Sequence, residues 1–273
     1  MKKIYGVIGD PIEHSLSPIM HNASFHELRI NGVYHAFRVT FENITSAILG
    51  AKALGFGGLN VTIPLKERAL DLVDAKPLAK KIGAVNTIDF KDEILGYNTD
   101  GIGAKRALER HDIDVADKRV LLLGAGGAAR AIAFQFAKDG ATLVIANRTA
   151  SRAIELSKDV RTMGDAVGTG LEELHQLIKK ADILVNSTSV GMLPKTEETL
   201  VTADQMHPGL IVFDLVYNPI ETRLLREAKK AGAVTIDGVD MLVHQGAESF
   251  KIWTSKNAPI DVMEDAVRCA LKC

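Results

Sequence analysis

Val120-Leu-Leu-Leu-Gly-Ala-Gly-Gly-Ala-Ala-Arg130 is the stretch that decides the fold. Its first four residues form a continuous apolar run of strand length, the glycines follow at once, and an apolar helix runs on toward Gly140. The pattern Gly124-x-Gly126-x-x-Ala129 therefore lies between a strand and a helix, where its mechanism needs it. Glycine at 124 allows the tight turn, glycine at 126 lets a pyrophosphate approach the backbone, and small Ala129 permits close packing of helix on strand. Free N–H groups at the helix start then face the diphosphate. A structural Gly-rich turn is the alternative reading of the string taken alone.

On both sides of this stretch, β-rich runs alternate with segments of helical period. The runs are residues 4–8, 34–39, 58–61, 120–123, 143–146, 183–186 and 211–213, an order that predicts βαβ units. Between residues 41 and 55, Ile44, Ala47, Ile48, Ala51 and Leu54 recur at helical spacing, so one face is expected to lie on a sheet. Val262, Met263, Ala266, Val267 and Ala270 repeat the pattern and predict a docked final helix. A Gly- and Asn-rich turn at 96–103 precedes a helical stretch through Ala107 and Leu108 and a charged segment at 111–119, which places a domain junction near Gly101. The fold class expected is α/β in two domains: residues 1–101 as an N-terminal α/β domain, and residues 102–240 as a Rossmann-type, doubly wound parallel sheet.

Size and composition agree with two domains. The chain has 273 residues, beyond the roughly 100 to 200 of one domain, and is 47% hydrophobic and 25% charged, a balance able to bury a sizeable core. Lys+Arg 33 against Asp+Glu 34 leaves a net charge of -1, which supplies no field for gathering nucleic acid or anionic lipid. Cys269 and Cys273, both at the C-terminal end, cannot frame a fold with a disulfide or zinc. The apolar run within residues 1–10 is too short for a signal-peptide core, and the window 120–137 is broken by Gly124, Gly126, Gly127 and Arg130. A soluble protein of a reducing cytosol is expected, with no membrane and no nucleic-acid partner. The 8 histidines show no ligand spacing, so no metal is expected, and no Gly-x-Ser-x-Gly elbow is present.

Other motifs carry possible chemistry. The strand at 143–146 ends in Asn147-Arg148-Thr149, followed by Arg152, where an NAD site places a carboxylate. Guanidinium groups hold a 2'-phosphate bidentately, so NADP is the cofactor expected, against the alternative of solvated arginines at a helix start. In Ser15-Leu-Ser17-Pro18 two hydroxyls flank a leucine. They either hold a small carboxylate, at about 1.5 to 3 kcal/mol for each bond to charge, or Ser17 is a helix N-cap. Asn60-Val-Thr62-Ile-Pro-Leu-Lys66, Asn86-Thr87 and Asn98-Thr-Asp100-Gly101 each set polar residues where a parallel strand is expected to meet its loop. A solvated lysine and a turn aspartate remain the alternatives. Residues 237–245 join Gly238 to a helix bearing Gln245, or form a simple turn.

Taken together, these motifs, with Gly83-Ala-Val-Asn86, resemble the shikimate dehydrogenase family in order and spacing over nearly the whole chain. The resemblance implies an N-terminal substrate domain and a C-terminal Rossmann domain with a cleft between them, and final helices at 241–273 returning to the first domain. It implies an oxidoreductase that reversibly reduces 3-dehydroshikimate to shikimate with NADPH, on the shikimate pathway toward aromatic amino acids. Ser15, Ser17 and Thr62 would bind the ring carboxylate side, and Asn60, Asn86 and Gln245 would read the hydroxyls. Lys66 and Asp100 would flank the reacting oxygen, and Tyr217, in Asp214-Leu-Val-Tyr-Asn-Pro219, resembles another substrate-side position. Gly124, Ala125, Gly126, Gly127, Ala128, Asn147, Arg148, Thr149, Arg152 and Gly238 would hold the cofactor, with Thr188 in the Asn186–Met192 segment that lines it.

The residue types suit the chemistry independently. Negative charge develops on oxygen when hydride reaches a carbonyl carbon, and an ammonium stabilises that charge and donates the proton. Lys66 is the acid expected, and the base in reverse, with Asp100 orienting it. A broader quinate/shikimate dehydrogenase and a non-catalytic sensor are the alternatives. The Asn147-Arg-Thr149 segment favours the narrower enzyme, and the presence of both Lys66 and Asp100 speaks against a sensor. The partners expected are the small-molecule substrate and a second copy of the chain in a homodimer.

Overall fold

Parallel strands covered on both faces read as unbroken apolar runs, and β1 (Lys3–Gly9) is such a run, with its last five residues buried. The computed structural model describes residues 2–272; Met1 and Cys273, the second cysteine of the sequence reading, lie outside the described residues. The chain divides into two compact units, Met1–Gly103 with Val243–Cys273, and Ala104–Leu242. Both junctions lie two residues beyond those expected from the sequence, 101/102 and 240/241.

In the first unit, β1 is followed by α1 (Ser17–Glu27), β2 (Gly32–Arg38), α2 (Ile44–Ala53), β3 (Gly58–Val61), α3 (Lys66–Leu70), β4 (Asp74–Ala75), α4 (Pro77–Ile82), β5 (Thr87–Asp89) and β6 (Leu95–Tyr97). The sheet order is β2-β1-β3-β5-β6-β4. β1 pairs in parallel with β2 and β3, whereas β5 runs antiparallel to both β3 and β6. The amphipathic α2 buries Ile44 and Ile48 against Ile8, Leu59, Val61 and Leu65, as its spacing requires.

α5 (Asp100–Glu109) carries the sequence on into the second unit. There β7 (Arg119–Leu123), α6 (Gly127–Lys138), β8 (Thr142–Ala146), α7 (Ala150–Val160), β9 (Ala166–Thr169), α8 (Leu174–Ile178), β10 (Ile183–Asn186), β11 (Ile211–Asp214), α9 (Arg223–Lys230) and β12 (Val234–Ile236) follow. The order is β12-β11-β10-β7-β8-β9, and each neighbouring pair among the described residues runs parallel. Chain order thus reverses between β7 and β10, the switch point of a doubly wound sheet, where ligands bind beyond the strands' carboxyl ends. This is the Rossmann-type sheet that residues 120–130 predict.

α10 (Gly238–Thr254) then returns the chain to the first unit, and α11 (Ile260–Ala270) closes it. α11 buries Met263 and Val267 and packs on α1, and Trp253 of α10 donates Nε1–H to Ile88 O at 2.9 Å. Gly58 permits that docking, because a Cβ there would fall 2.0 Å from Trp253 Nε1.

Four sequence expectations need correction. The helix read over 41–55 opens as a 3-10 turn, Phe41–Asn43, before α2. The turn read at 96–103 is divided between the end of β6 and the start of α5. Ser17 is not an N-cap: Leu16 holds that place with no side-chain cap, and Ser17 opens α1 itself. Asn86-Thr87 stands at the start of an antiparallel strand, not where a parallel strand meets its loop. β4, β5, β6, β9 and β12, of two to four residues each, are not among the strands expected from the sequence. Among the described residues no helix is long and apolar enough to cross a membrane.

Candidate functional site

The reversal of β5 builds the site of the first unit. Register pairs Asn60 with Thr87 and Thr87 with Tyr97, so the end of β3, the start of β5 and the end of β6 share one edge of the sheet. Asn60, Asn86 and the Asn98-Thr-Asp100 segment, far apart in sequence, meet there. Lys66 opens α3 and Asp100 opens α5, and Lys66 Nζ lies 2.6 Å from Asp100 Oδ2.

Asn86 fixes that carboxylate. Its Nδ2 donates to Asp100 Oδ1 at 2.7 Å and to Thr99 Oγ1 at 2.9 Å, while its Oδ1 accepts from Thr99 N at 2.8 Å. Asn98 Oδ1 accepts from Asp100 N at 3.1 Å, and Asn98 Nδ2 donates to Ala84 O at 3.1 Å, which ties the segment to the loop before Asn86. The ion pair is shielded, with side-chain exposure of 20% for Lys66 and 7% for Asp100. Such a pair depends on its geometry, since removing one partner strands a desolvated charge.

Asn60, like Asn86, is heavily committed within the protein. Its Nδ2 donates toward Asn86 O, Thr87 Oγ1 and Ser249 Oγ at 3.0 to 3.1 Å, and its Oδ1 accepts from the Tyr34 hydroxyl at 2.7 Å. The amide hydrogens are taken up within the protein, which leaves Asn60 only a lone pair on Oδ1 for a ligand. Ser17 is buried, and its hydroxyl hydrogen-bonds Tyr34. Ser15 is half-buried, its Oγ 3.4 Å from Ser17 N. Thr62 is half-buried in the loop after β3, anchored by its N–H to Ile8 O at 2.9 Å. Gln245 is half-buried on α10, whose backbone comes so close to α5 that a Cβ on Gly103 would lie 2.7 Å from Gln245 N.

Tyr34 and Ser249 join this cluster without being among the residues expected from the sequence. Ser249 follows Gln245 by one helical turn, a spacing that sets both on one face of α10 and was there to be read. Tyr34 carries no such signal, because an aromatic residue in a strand reads as core.

In the second unit, Gly124 adopts φ 110°, a left-handed conformation open to glycine, and a Cβ there would meet Ser187 Oγ at 2.7 Å. Gly126 and Gly127 are exposed and face open space, and α6 starts with no side-chain cap on its free N–H groups. Ala125 and Ala128 are half-buried beside them. β8 delivers Asn147, whose Nδ2 donates to Thr149 O at 3.0 Å and shapes the turn that leaves Arg148 and Arg152 exposed. Arg130 is committed elsewhere, 2.8 Å from Asp159 and over the Phe134 ring.

Across the switch point, Asn186 Oδ1 accepts from Thr188 N and Oγ1, while its Nδ2 donates to Asp214 Oδ1 at 2.9 Å. Burial raises the Asp214 pKa to about 6 in spite of further donors from Thr222 and Val216. Tyr217, three residues on, has its phenol pushed up by burial. Gly238 packs against the backbone of Leu215 and Val216, with an added Cβ falling 2.5 Å from Leu215 O. Among the described residues no group of three or more His, Cys, Asp or Glu could hold a metal ion.

Comparison with known proteins agrees along the whole chain. Residues 7–88 match the family model of the shikimate dehydrogenase substrate binding domain, residues 104–241 that of shikimate / quinate 5-dehydrogenase, and residues 238–268 that of the shikimate 5'-dehydrogenase C-terminal domain. The chain is 60% identical to a shikimate dehydrogenase (NADP(+)) of Methanococcoides burtonii over 98% of both chains. Its fold is similar to a crystal structure of a shikimate dehydrogenase in complex with NADP+, with TM-score 0.93 and 46% identity over 99% of this chain and 96% of that one. It is also similar to the Thermus thermophilus shikimate 5-dehydrogenase in complex with NADP(H) and shikimate, with TM-score 0.90 and 37% identity over 98% of this chain and 100% of that one. With its sheet order, its polar cluster and its relatives in agreement, the chain belongs to the shikimate dehydrogenase family.

Proposed function

We infer that this chain is an oxidoreductase that interconverts shikimate and 3-dehydroshikimate with NADP. The observation that carries the reading is the shielded Lys66–Asp100 pair, held by Asn86 at one edge of the first unit's sheet. An acid and an oriented carboxylate together are what a ring alcohol needs.

The second unit suits the cofactor. The loop at Gly124, Gly126 and Gly127 leaves room and free N–H groups for a diphosphate, with Ala125 and Ala128 beside it. Arg148 and Arg152 are exposed at the end of β8, with Asn147 and Thr149 shaping the turn, and they would hold the 2'-phosphate. Thr188 and Gly238 complete the cofactor set. When bound, the dinucleotide supplies or accepts the hydride at the ring carbon.

The chain's own residues manage the proton and the ring. In reduction Lys66 Nζ stabilises the negative charge growing on the carbonyl oxygen and gives it a proton; in oxidation it takes the proton back. This service is worth about a hundred- to ten-thousand-fold in rate. Asp100 holds the amine in place and accepts from a neighbouring hydroxyl. Ser15, Ser17 and Thr62 bind the carboxylate side, Asn86, Asn60 and Gln245 contact the hydroxyls, and Tyr217 takes the further substrate-side position that the resemblance gives it. We place the reaction in the cytoplasm and the chain in a homodimer, which sedimentation of the purified protein checks.

The deciding experiment offers shikimate and quinate, each with NADP and with NAD. Reduced-nicotinamide absorbance should rise fastest with shikimate and NADP. Equal turnover of quinate would widen the assignment to a quinate/shikimate dehydrogenase, and tight binding without absorbance change would make the protein a sensor.

A further inference from the structure

We propose that Tyr34 is a positioning residue for this reaction, its buried hydroxyl fixing the Asn60 amide and, through Thr87 and Asn86, the aim of the Asp100 carboxylate at Lys66. The inference rests on the function proposed above.

Tyr34, Asn60, Thr87, Asn86 and Asp100 are all buried, so each polar atom must find its partner within the protein. The Tyr34 hydroxyl donates to Asn60 Oδ1 at 2.7 Å. This fixes which way the amide faces. Turned over, Asn60 would set its oxygen against the Asn86 carbonyl oxygen, which its Nδ2 now meets at 3.1 Å. In the orientation observed, Asn60 Nδ2 donates toward Thr87 Oγ1 at 3.1 Å, and Thr87 Oγ1 donates to Asn86 Oδ1 at 2.9 Å. Asn86 Oδ1 also takes the Thr99 N–H at 2.8 Å, so its Nδ2 is turned to Asp100 Oδ1 at 2.7 Å.

Donors therefore run one way, from Tyr34 through Asn60, Thr87 and Asn86 to one carboxylate oxygen, and Lys66 occupies the other. Hydrogen bonds in such a series strengthen one another in a low-dielectric interior. Ser249, on α10, braces the middle of the series: its Oγ lies 3.0 Å from Asn60 Nδ2 and 2.8 Å from Thr87 Oγ1.

Packing alone does not explain the hydroxyl. The Tyr34 ring stacks on His21 at 4.4 Å and lies 6.1 Å from Trp253, contacts that a phenylalanine would keep. Burial also holds the phenol well above its ordinary range, so it stays a donor at any pH at which the protein works.

The test is Tyr34→Phe, read two ways. In shikimate oxidation kcat should fall about tenfold, with KM for shikimate within about threefold and NADP affinity unchanged. On an Asp100→Asn background the same substitution should cause no further loss, because both act on one contact. In the unliganded protein the Asn86 carboxamide proton resonances should move. A lowered melting temperature with kcat unchanged, or Asn86 resonances that stay in place, would overturn the proposal. Ser249→Ala enters the series from α10 and should give the same pattern if Tyr34→Phe does not fold. If the wild-type protein leaves shikimate untouched, the functional reading fails, while the Asn86 resonances still decide whether Tyr34 governs that contact.

Discussion

Lys66 Nζ sits 2.6 Å from one oxygen of Asp100, and the other oxygen of that carboxylate is bound by Asn86. Each residue opens a helix, Lys66 starting α3 and Asp100 α5, so rigid elements hold both ends of the pair. At the first turn of α5 the helix dipole also favours the negative charge of Asp100. In the reaction proposed, a lysine held in this way would be oriented for proton transfer by the protein itself, at a lower cost than a free side chain.

Lys66→Ala should lower turnover by at least about a hundredfold with substrate affinity within severalfold, since the loss falls chiefly on the transition state. Steady-state kinetics with shikimate checks it. A drop in affinity with turnover intact would reassign Lys66 to binding.

Arg148→Ala should weaken NADP far more than NAD, because only the former carries a ribose 2'-phosphate for the exposed guanidinium at the end of β8. Titration of the two dinucleotides measures the difference. Equal weakening would remove Arg148 from the phosphate site.

His21 should make the fold acid-sensitive. Its ring is fully buried with neither nitrogen partnered among the described residues, and burial lowers its pKa from 6.5 to about 3. A lowered folded-state value means that the stability is complete above pH 6.5 and is lost as pH falls toward 3, at about 1.4 kcal/mol per pH unit. His21→Phe keeps the stack on Tyr34 and should flatten the fall in melting temperature between pH 6.5 and 4. Parallel curves would show that His21 is not the group responsible.

Asp214 should act with the opposite sign. Burial raises its pKa from 3.8 to about 6, so the fold favours the protonated form. That contribution is complete below pH 3.8 and disappears as pH rises through 6, costing about 3 kcal/mol by neutrality. Relative to Asp214→Asn, the wild-type protein should lose stability between pH 4 and 7 in urea titrations. A constant difference across that range would contradict the assignment.

Gly103→Ala should destabilise by about 1 to 3 kcal/mol, because the new Cβ would fall 2.7 Å from Gln245 Cβ and N. Displacement of Gln245 should raise KM for shikimate while NADP binding holds. Unchanged urea midpoint and KM would mean that α10 shifts freely.

The two units were not equally legible in the sequence. The doubly wound sheet could be read from residues 120–130 alone, because a buried parallel strand, a glycine turn and a helix N-terminus each leave a local mark. The first unit hid its plan in β5 and β6, three residues each, too short to show a period. Without the reversal of β5, Asn86 reads as the end of a parallel strand, and its nearness to Asp100 rests on resemblance alone. Tyr34 was invisible as a polar participant, since nothing local separates a tyrosine packed for its ring from one placed for its hydroxyl.

What the sequence determined by itself was the chemistry available: an amine, a carboxylate, amides and hydroxyls at fixed positions, a glycine-rich turn between strand and helix, and arginines in place of an acid after β8. What only the tertiary structure decided was which of these groups touch and which way each amide points. Local pattern is set by neighbours a few residues apart, whereas a buried hydrogen-bond series joins Tyr34, Asn60, Asn86, Asp100 and Ser249 across most of the chain's length. Its direction follows from the exclusion of water once the sheet and α10 have closed over it, which leaves every buried donor and acceptor only its protein partners.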